Sequence, residues 1–293
     1  MPKFSQAIAI TRSIIVSVAV PLEIGMEPFP GHRLLEVMGR GSFAEVWKAE
    51  RPDGGQVALK FLTCETGRAT PGEIRSIQFV RQLEHSNLTR VERVWCHLGY
   101  IVIAMELAEG SLLDLLEAHR ADTGRALPLE HVCFFLAQVA EGLDFLNARQ
   151  HRIDGKLVSV QHCDIKPSNM LLFGDTVKLC DFGIATMMTA SIMPHRLAGT
   201  PSYASPEIFR SRLSNRSDQY ALAVSYCQLR GGRLPFPDSP SAISGVYARP
   251  RPDLSMLPPR EHSVVQRALS FMPQDRWPSS SEFIENLANI NVF

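Results

Sequence analysis

Near residue 105 the hydrophobic period of this chain changes, and that change limits the folds open to it. From Arg33 to about Met105 apolar residues fall in short runs separated by turn residues. Leu34, Leu35 and Val37 lead into Gly39-Arg40-Gly41-Ser42-Phe43-Ala44 and then Glu45-Val46-Trp47-Lys48-Ala49. Pro52-Asp53-Gly54-Gly55 reads as a turn, and Gln56 to Leu62 as a third strand. One interruption is helical: Ile74, Ile77, Val80 and Leu83 recur at helical spacing, which predicts a helix from Gly72 to Leu83. Leu98 to Met105 is strand-like again. From Ser111 onward helices dominate. Val132, Phe135, Leu136, Val139, Leu143 and Leu146 mark one face of a long helix, and Ser263–Leu269 and Ser279–Leu287 read as closing helices. The stretch from Phe236 to Pro259, rich in Pro and Arg, reads as a surface loop. The expected class is therefore α+β and bilobal: a small antiparallel β-sheet lobe with one helix, over residues 29–108, then a larger, mainly helical lobe over 109–293.

At 293 residues the chain has the size at which one core begins to split in two. No internal repeat is visible. Thirty basic residues balance thirty acidic ones, so no net field favours nucleic acid, and none is expected as a partner. No apolar run reaches the ~18 residues of a membrane span. The six cysteines, at 64, 96, 133, 163, 180 and 227, form no C-x-x-C pair, which suits reduced thiols in a cytoplasmic protein. Ser13 to Val20 is apolar and follows Lys3 and Arg12, loosely imitating an export signal. The run is short, however, and no small-residue cleavage pattern follows it. Pro21, Glu23 and Gly25 then break any helix. Residues 1–28 are expected to be a tail, disordered or upstream of the true start, with Met26 as a candidate start.

The glycine run comes first among the motifs. Residues Gly39 to Ala44 make a G-x-G-x-x-G-like match with Ala44 at the third position, and alone that is weak. A dinucleotide-binding turn would need a helix after it, whereas another strand and a hairpin turn follow here. Glycines in such a loop let backbone N–H groups approach phosphate oxygens, but an ordinary tight hairpin fits equally well. Lys60, on the strand Val57-Ala58-Leu59-Lys60, shifts that balance. In isolation it is a strand-edge lysine pointing to water.

The decisive cluster is His162-Cys163-Asp164-Ile165-Lys166-Pro167-Ser168-Asn169, followed by Asp181-Phe182-Gly183. Singly, Asp164 and Asp181 would be surface carboxylates or turn caps. As an ordered set with Lys60, they make the chain resemble the eukaryotic-type (Hanks-type) serine/threonine protein kinases, from about Phe29 to Leu287. That resemblance implies ATP and Mg²⁺ as cofactors and protein Ser/Thr hydroxyls as substrates. It implies that Asp164 orients the acceptor hydroxyl and takes its proton, and that Asn169 and Asp181 hold magnesium. Val57-Ala58-Leu59-Lys60 is similar to the element whose lysine holds the α- and β-phosphates. Gly39, Arg40, Gly41, Ser42, Phe43 and Ala44 would then cover the phosphates. Lys166 would approach the γ-phosphate, and Thr200, in Gly199-Thr200-Pro201-Ser202-Tyr203, would bridge Asp164 and Lys166. These two mark the serine/threonine branch. Val46 and Ala58 would roof the adenine slot and Leu171 would floor it. Met105 would be the gatekeeper, and the backbone of Glu106 and Ala108 would bond the adenine edge.

In the larger lobe, Ser205-Pro206-Glu207 resembles the end of the activation segment, and Asp275-Arg276-Trp277 the later element whose arginine pairs with that glutamate. Asp218 would support the catalytic loop from beneath, and Arg233-Leu234-Pro235-Phe236 resembles the family's turn after it. The chemistry asks for these residue types. Phosphoryl transfer concentrates negative charge on oxygens, so catalysis is mainly positioning plus cations.

The sequence also departs from the family pattern. The helix position that should carry a glutamate for Lys60 holds Ser76. Glu73 lies one turn earlier on the same face and is expected to reach Lys60, the alternative being that Lys60 pairs mainly with Asp181. Cys163 replaces the arginine that usually receives an activation-loop phosphate. Thr186, Thr189 and Ser191 can still be modified, autophosphorylation included, but order should not depend on it. Ala223 stands where many relatives have glycine. Arg149 to Gln161 lengthens the link before the catalytic loop, with Asp154-Gly155 as a hairpin turn. Together with the Tyr226–Phe236 run, this is similar to a bacterial, planctomycete-type subgroup. Cys163 and Cys180 read as small buried hydrophobes rather than a redox switch. Two rival functions are a nucleotide-binding pseudokinase scaffold, supported by the displaced Glu73, and a small-molecule kinase, opposed by the Gly199–Glu207 segment.

Overall fold

A computed structural model describes residues 20–41, 44–63, 79, 81–153, 155–181, 200–210, 212–237 and 249–292. Contacts divide the chain into two compact units. One takes residues 1–69 and 94–104, and the other residues 70–93 and 105–293, so residues 70–93 and 105–108 group with the helical part.

The first unit is built on an antiparallel sheet. The sheet's strands are β1 (Arg33–Arg40), β2 (Ala44–Glu50), β3 (Gln56–Thr63), β4 (Val91–His97) and β5 (Tyr100–Met105), in the order β1-β2-β3-β5-β4, of which the ends Val91–Arg93 and Met105 are grouped with the second unit. Leu34, Trp47, Ala49, Val57, Leu59, Phe61, Tyr100, Val102 and Ala104 form its core. The sheet's class and chain order agree with the expected small β lobe. β4 was not anticipated: Glu92, Arg93 and Cys96 are exposed along it, as suits an edge strand, and they interrupt its apolar signal. Leu98 and Gly99, both at positive φ, turn the chain into β5, which therefore starts at Tyr100 and not Leu98.

The expected tail over residues 1–28 is too long. Residues 1–19 lie outside the described residues, but Val20 to Pro28 packs on this sheet. Leu22 joins its core. Gly25 N–H donates to Leu34 O at 2.8 Å, and Leu34 N–H to Met26 O at 2.9 Å. The Tyr100 hydroxyl donates to Val20 O at 3.1 Å, and Trp95 Nε1 to Pro28 O at 3.2 Å.

The second unit carries the larger core. Its helices among the described residues are α1 (Leu112–Thr123), α2 (Leu129–Asn147), α3 (Ser217–Gly231), α4 (Pro259–Ala268) and α5 (Ser280–Ala288). Ser111 caps α1 through a reciprocal pair with Asp114, and Gly124 closes it in the left-handed conformation. The predicted apolar face of α2 is buried at Val132, Leu136, Val139, Leu143 and Leu146. Three short pairings complete the unit. β6 (Gly110–Ser111), β9 (Met170–Phe173) and β10 (Thr176–Leu179) form one small sheet, and β7 (His151–Ile153) with β8 (Lys156–Val158) makes the hairpin expected around residues 154–155.

Two expectations change here. The helix over Gly72–Leu83 is described only at Phe79, and it does not reach Leu83: Arg81 and Gln82 form a turn, with Gln82 N–H donating to Phe79 O at 2.9 Å. Leu83 is buried beyond the helix, so helical spacing here reported burial rather than conformation. The stretch from Phe236 to Pro259 is not simply a surface loop. Phe236, Leu254 and Leu257 are core residues, and Pro259 opens α4.

Candidate active site

The loop after the β7–β8 hairpin is returned to the core by Val160 N–H, which donates to Leu146 O at 2.8 Å. His162 is then wholly buried. Its N–H donates to Asp218 Oδ2 at 2.7 Å, and the next N–H, of Cys163, to Oδ1 at 2.9 Å. Asp218 sits buried in the first turn of α3, so one carboxylate fixes two successive peptide groups. Full burial raises the Asp218 carboxyl above its ordinary value, against the pull of His162 and these two donors. The grip holds Cys163 at φ +66°, a left-handed conformation that costs a non-glycine residue ~1–3 kcal/mol. The His162 ring makes a second link. Nε2 lies 2.8 Å from Cys180 O, and a carbonyl only accepts, so Nε2 carries the proton. Nδ1 accepts from Asp164 N–H at 3.3 Å.

Strained backbone and buried supports converge on Asp164. Its Oδ1 accepts from both the N–H and the hydroxyl of Thr200, each at 2.9 Å. Its Oδ2 accepts from Asn169 Nδ2 at 2.9 Å and pairs with Lys166 Nζ at 2.9 Å. Lys166 Nζ also donates to Thr200 Oγ1 at 2.7 Å, closing a ring of three side chains to which Asn169 is attached through Asp164. Burial pushes the Asp164 carboxyl up. The hydrogen bond and charge of Lys166, with the Thr200 and Asn169 donors, outweigh it and hold the group below its ordinary value. Asp164 is thus a fixed, ionised acceptor.

Asn169 lies on the 3₁₀ turn Pro167–Asn169. Its Nδ2 is spent on Asp164 O at 2.8 Å and on the Asp164 carboxylate, which fixes the amide orientation. Oδ1 accepts from no described residue. Cys180 N–H donates to Asn169 O at 3.0 Å, so Asp181 follows immediately beside it, at φ +64°. An amide oxygen and a carboxylate are the hard ligands that a divalent cation takes, and an ion bridging phosphates needs few from protein. The pair fits such an ion.

Met105, Glu106, Ala108 and Leu171 also belong to the second unit. Glu109 N–H donates to Leu172 O at 3.0 Å, and Ser111 pairs with Leu171, which lays residues 109–111 alongside β9. The Glu106 side chain takes Lys178 Nζ at 2.6 Å and Arg90 N–H at 3.0 Å. In the first unit, Gly39 pairs with Val46 and Arg40 with Glu45, while Gly41 N–H donates to Ala44 O at 2.8 Å. Gly39 to Gly41 thus pair back on Ala44 to Val46; Ser42 and Phe43 lie outside the described residues. Val46 pairs in turn with Lys60, which is half-buried, and Ala58 is buried two positions earlier. Glu73 and Ser76 lie outside the described residues, as do Phe182 to Gly199.

Compared with known proteins, residues 32–285 match the protein kinase domain. The chain belongs to the protein kinase family. It is 34% identical over 225 residues to CBL-interacting protein kinase 4 of Oryza sativa subsp. japonica, covering 73% of this chain and 47% of that protein. It is 32% identical over 259 residues to serine/threonine-protein kinase 36 of Pongo abelii, covering 84% and 18%. It is 30% identical over 279 residues to serine/threonine-protein kinase PknJ of Mycobacterium tuberculosis, covering 87% and 44%. The match thus spans under half the length of each of these relatives.

The kinase domain's later motifs meet as expected. Arg276, 1% exposed, faces Glu207 with both ends of its fork: Nη1 to Oε1 and Nη2 to Oε2, each at 2.8 Å. Its remaining donors reach Arg216 O and Ser270 O, both at 2.9 Å, and Phe271 O at 3.3 Å. Ser217 Oγ donates to Glu207 Oε1 at 2.8 Å. Ser205, wholly buried two residues earlier, has a hydroxyl with no partner among the described residues. Ser205→Ala is expected to leave stability unchanged or raise it by ~1 kcal/mol in urea unfolding, because an unsatisfied buried hydroxyl is removed. A loss of stability would show that the hydroxyl is bonded. Arg249 was not foreseen as a site residue; nothing in its local sequence marks it, and only tertiary structure brings it to the turn after Thr200.

Proposed function

We propose that this kinase domain transfers the γ-phosphoryl group of MgATP to Ser and Thr hydroxyls of proteins. The observation that carries the reading is the ring of Asp164, Lys166 and Thr200, with Asn169 bonded to Asp164. In it Asp164 orients the acceptor hydroxyl and accepts its proton as oxygen attacks phosphorus. Lys166 adds a cation beside the acceptor, and Thr200 fixes the carboxylate against the ammonium. Asn169 and Asp181 would hold magnesium, whose positive charge offsets the charge gathering on the phosphate oxygens. Lys60 would hold the α- and β-phosphates, with Glu73 or Asp181 as its partner, and the Gly39–Ala44 hairpin would cover them. Val46, Ala58, Met105, Leu171 and the backbone of Glu106 and Ala108 would form the adenine slot.

The finer reading is of a bacterial, cytoplasmic enzyme acting on protein substrates and on itself, with no nucleic-acid partner. Among the described residues no helix is long and apolar enough to cross a membrane. The lack of a C-x-x-C pair in the sequence supports the cytoplasmic assignment, and the balanced charge supports the reading without nucleic acid. The deciding experiment incubates purified protein with labelled ATP, Mg²⁺ and a generic protein, beside Asp164→Asn. Label on Ser or Thr that vanishes in the variant is expected. Nucleotide binding without transfer would favour the scaffold reading.

Cys163 gives a second expectation. A thiol cannot pair with a phosphate as an arginine does, so activity should survive replacement of Thr186, Thr189 and Ser191 together by Ala. Near-total loss of kcat in that triple variant would overturn it.

A further inference from the structure

Between Thr200 and Glu207 the chain makes a tight turn, with Tyr203 N–H donating to Thr200 O at 3.0 Å and Ala204 N–H to Pro201 O at 3.3 Å. Such turns leave carbonyls with lone pairs still open to a donor, Pro201 O included. Three of them are gathered by one side chain from a distant part of the chain. Arg249 Nη2 donates to Pro201 O at 2.8 Å, to Ser202 O at 3.0 Å and also to Ala204 O, while Nε donates to Ala204 O at 3.2 Å.

The guanidinium is itself held in place by rings. Its carbon stands 4.4 Å from the centre of Phe236, 5.7 Å from Phe209 and 5.8 Å from Tyr220. Phe236 stacks on Tyr220 at 6.2 Å, and Arg276 lies 4.9 Å from the same Tyr220 ring. The segment is thus tied at three points in eight residues: Thr200 to Asp164 and Lys166, the turn to Arg249, and Glu207 to Arg276. The first tie ends on the proposed proton acceptor. Pro201 is exposed on the turn, so a polypeptide can reach it.

We propose that Arg249 is a positioning residue for the acceptor polypeptide, setting the 201–204 turn relative to Asp164 without touching nucleotide. This rests on the kinase reading above. The argument is geometric: a flat guanidinium with directed N–H groups can serve several carbonyls at once, and aromatic faces on its flank fix the plane in which it does so. When the guanidinium is removed, Ser202 O and Ala204 O lose their donor and Pro201 O keeps only the Ala204 N–H, so the turn is free to re-form at another distance from Asp164. Lysine brings the charge, but a single nitrogen on a flexible stem cannot reproduce the fan.

The test is steady-state kinetics with a Ser-containing peptide and MgATP on wild type, Arg249→Ala and Arg249→Lys, with thermal unfolding of each. Arg249→Ala should lower kcat/KM for peptide by ~10–100-fold, the scale of a misplaced reacting group, while KM for ATP keeps its wild-type value. Arg249→Lys should recover part of the loss, and it carries the test if the alanine variant does not fold. Unchanged peptide kinetics in both variants would overturn the proposal. So would a parallel loss in peptide and ATP kinetics that tracks the fall in Tm, since that marks a purely structural residue. A wild type that binds ATP yet transfers nothing refutes the kinase reading, and this proposal with it.

Discussion

Asp164→Asn should reduce phosphoryl transfer by ~10²–10⁴-fold, the range over which a positioned proton acceptor contributes. The substitution is nearly isosteric, and Oδ1 can still accept from the Thr200 N–H and hydroxyl. The damage falls on the other oxygen. An Nδ2 there would face Asn169 Nδ2 and Lys166 Nζ, three donors without an acceptor among them. Lys166 would keep Thr200 alone, and the proton of the incoming hydroxyl would have no carboxylate to receive it. Comparing kcat with nucleotide affinity by titration separates the outcomes. Retained affinity with lost turnover is expected, and full turnover in the variant would remove Asp164 from the mechanism. The sign of the pH response follows as well. Because the folded carboxyl lies below its ordinary value, it stays ionised from there upward. Any fall in kcat/KM on acidification through neutrality must therefore come from another group.

Arg276→Ala should cost ~3–5 kcal/mol, as expected when one partner of a buried pair is removed and the other charge is stranded. Glu207 would keep Ser217 Oγ but lose both ends of the guanidinium, and the Arg216 and Ser270 carbonyls would lose donors too. For a domain of this size, that corresponds to a fall in Tm on the order of 10 °C. The pair also makes stability depend on pH. Burial raises the Glu207 carboxyl, but Arg276 outweighs burial and leaves it below its ordinary value. A depressed acid stabilises fully above its unfolded value, ~4.3 for Glu, and that stability drains away as pH falls through the folded value. Wild type should therefore lose stability in that acidic window, and Arg276→Ala should lose less there, having lost the pair already. Equal Tm at pH 7 would sink this account of the pair.

Residues close together in sequence announced most of the site. The run from His162 to Asn169 places an acceptor, a cation and an amide within one loop, so its chemistry is readable before any fold is known. The Glu207–Arg276 pair, 69 residues apart, became legible only because each end lies in a recognisable motif. Arg249 had no such motif, and its three carbonyl partners lie 45–48 residues away. Periodicity failed where burial and conformation part company. Leu83 keeps helical spacing after the helix has ended, and Leu254 and Leu257 are buried inside a stretch whose Pro and Arg content reads as surface. The His162 ring shows another limit: its tie to Cys180 O depends on two loops meeting, which no local pattern reports.

The pairing of Leu34 with Gly25 and Met26 has a practical meaning for anyone cutting this chain. β1 is the outermost strand on its side of the sheet, and those two residues occupy the backbone groups that an outer strand otherwise offers to strangers. Trimming at the family boundary near residue 32 would strip that guard, take Leu22 out of the core and leave the Tyr100 hydroxyl without Val20 O. The shortened protein would retain every motif yet present a sticky β margin, and insolubility in such a fragment would say nothing about its chemistry.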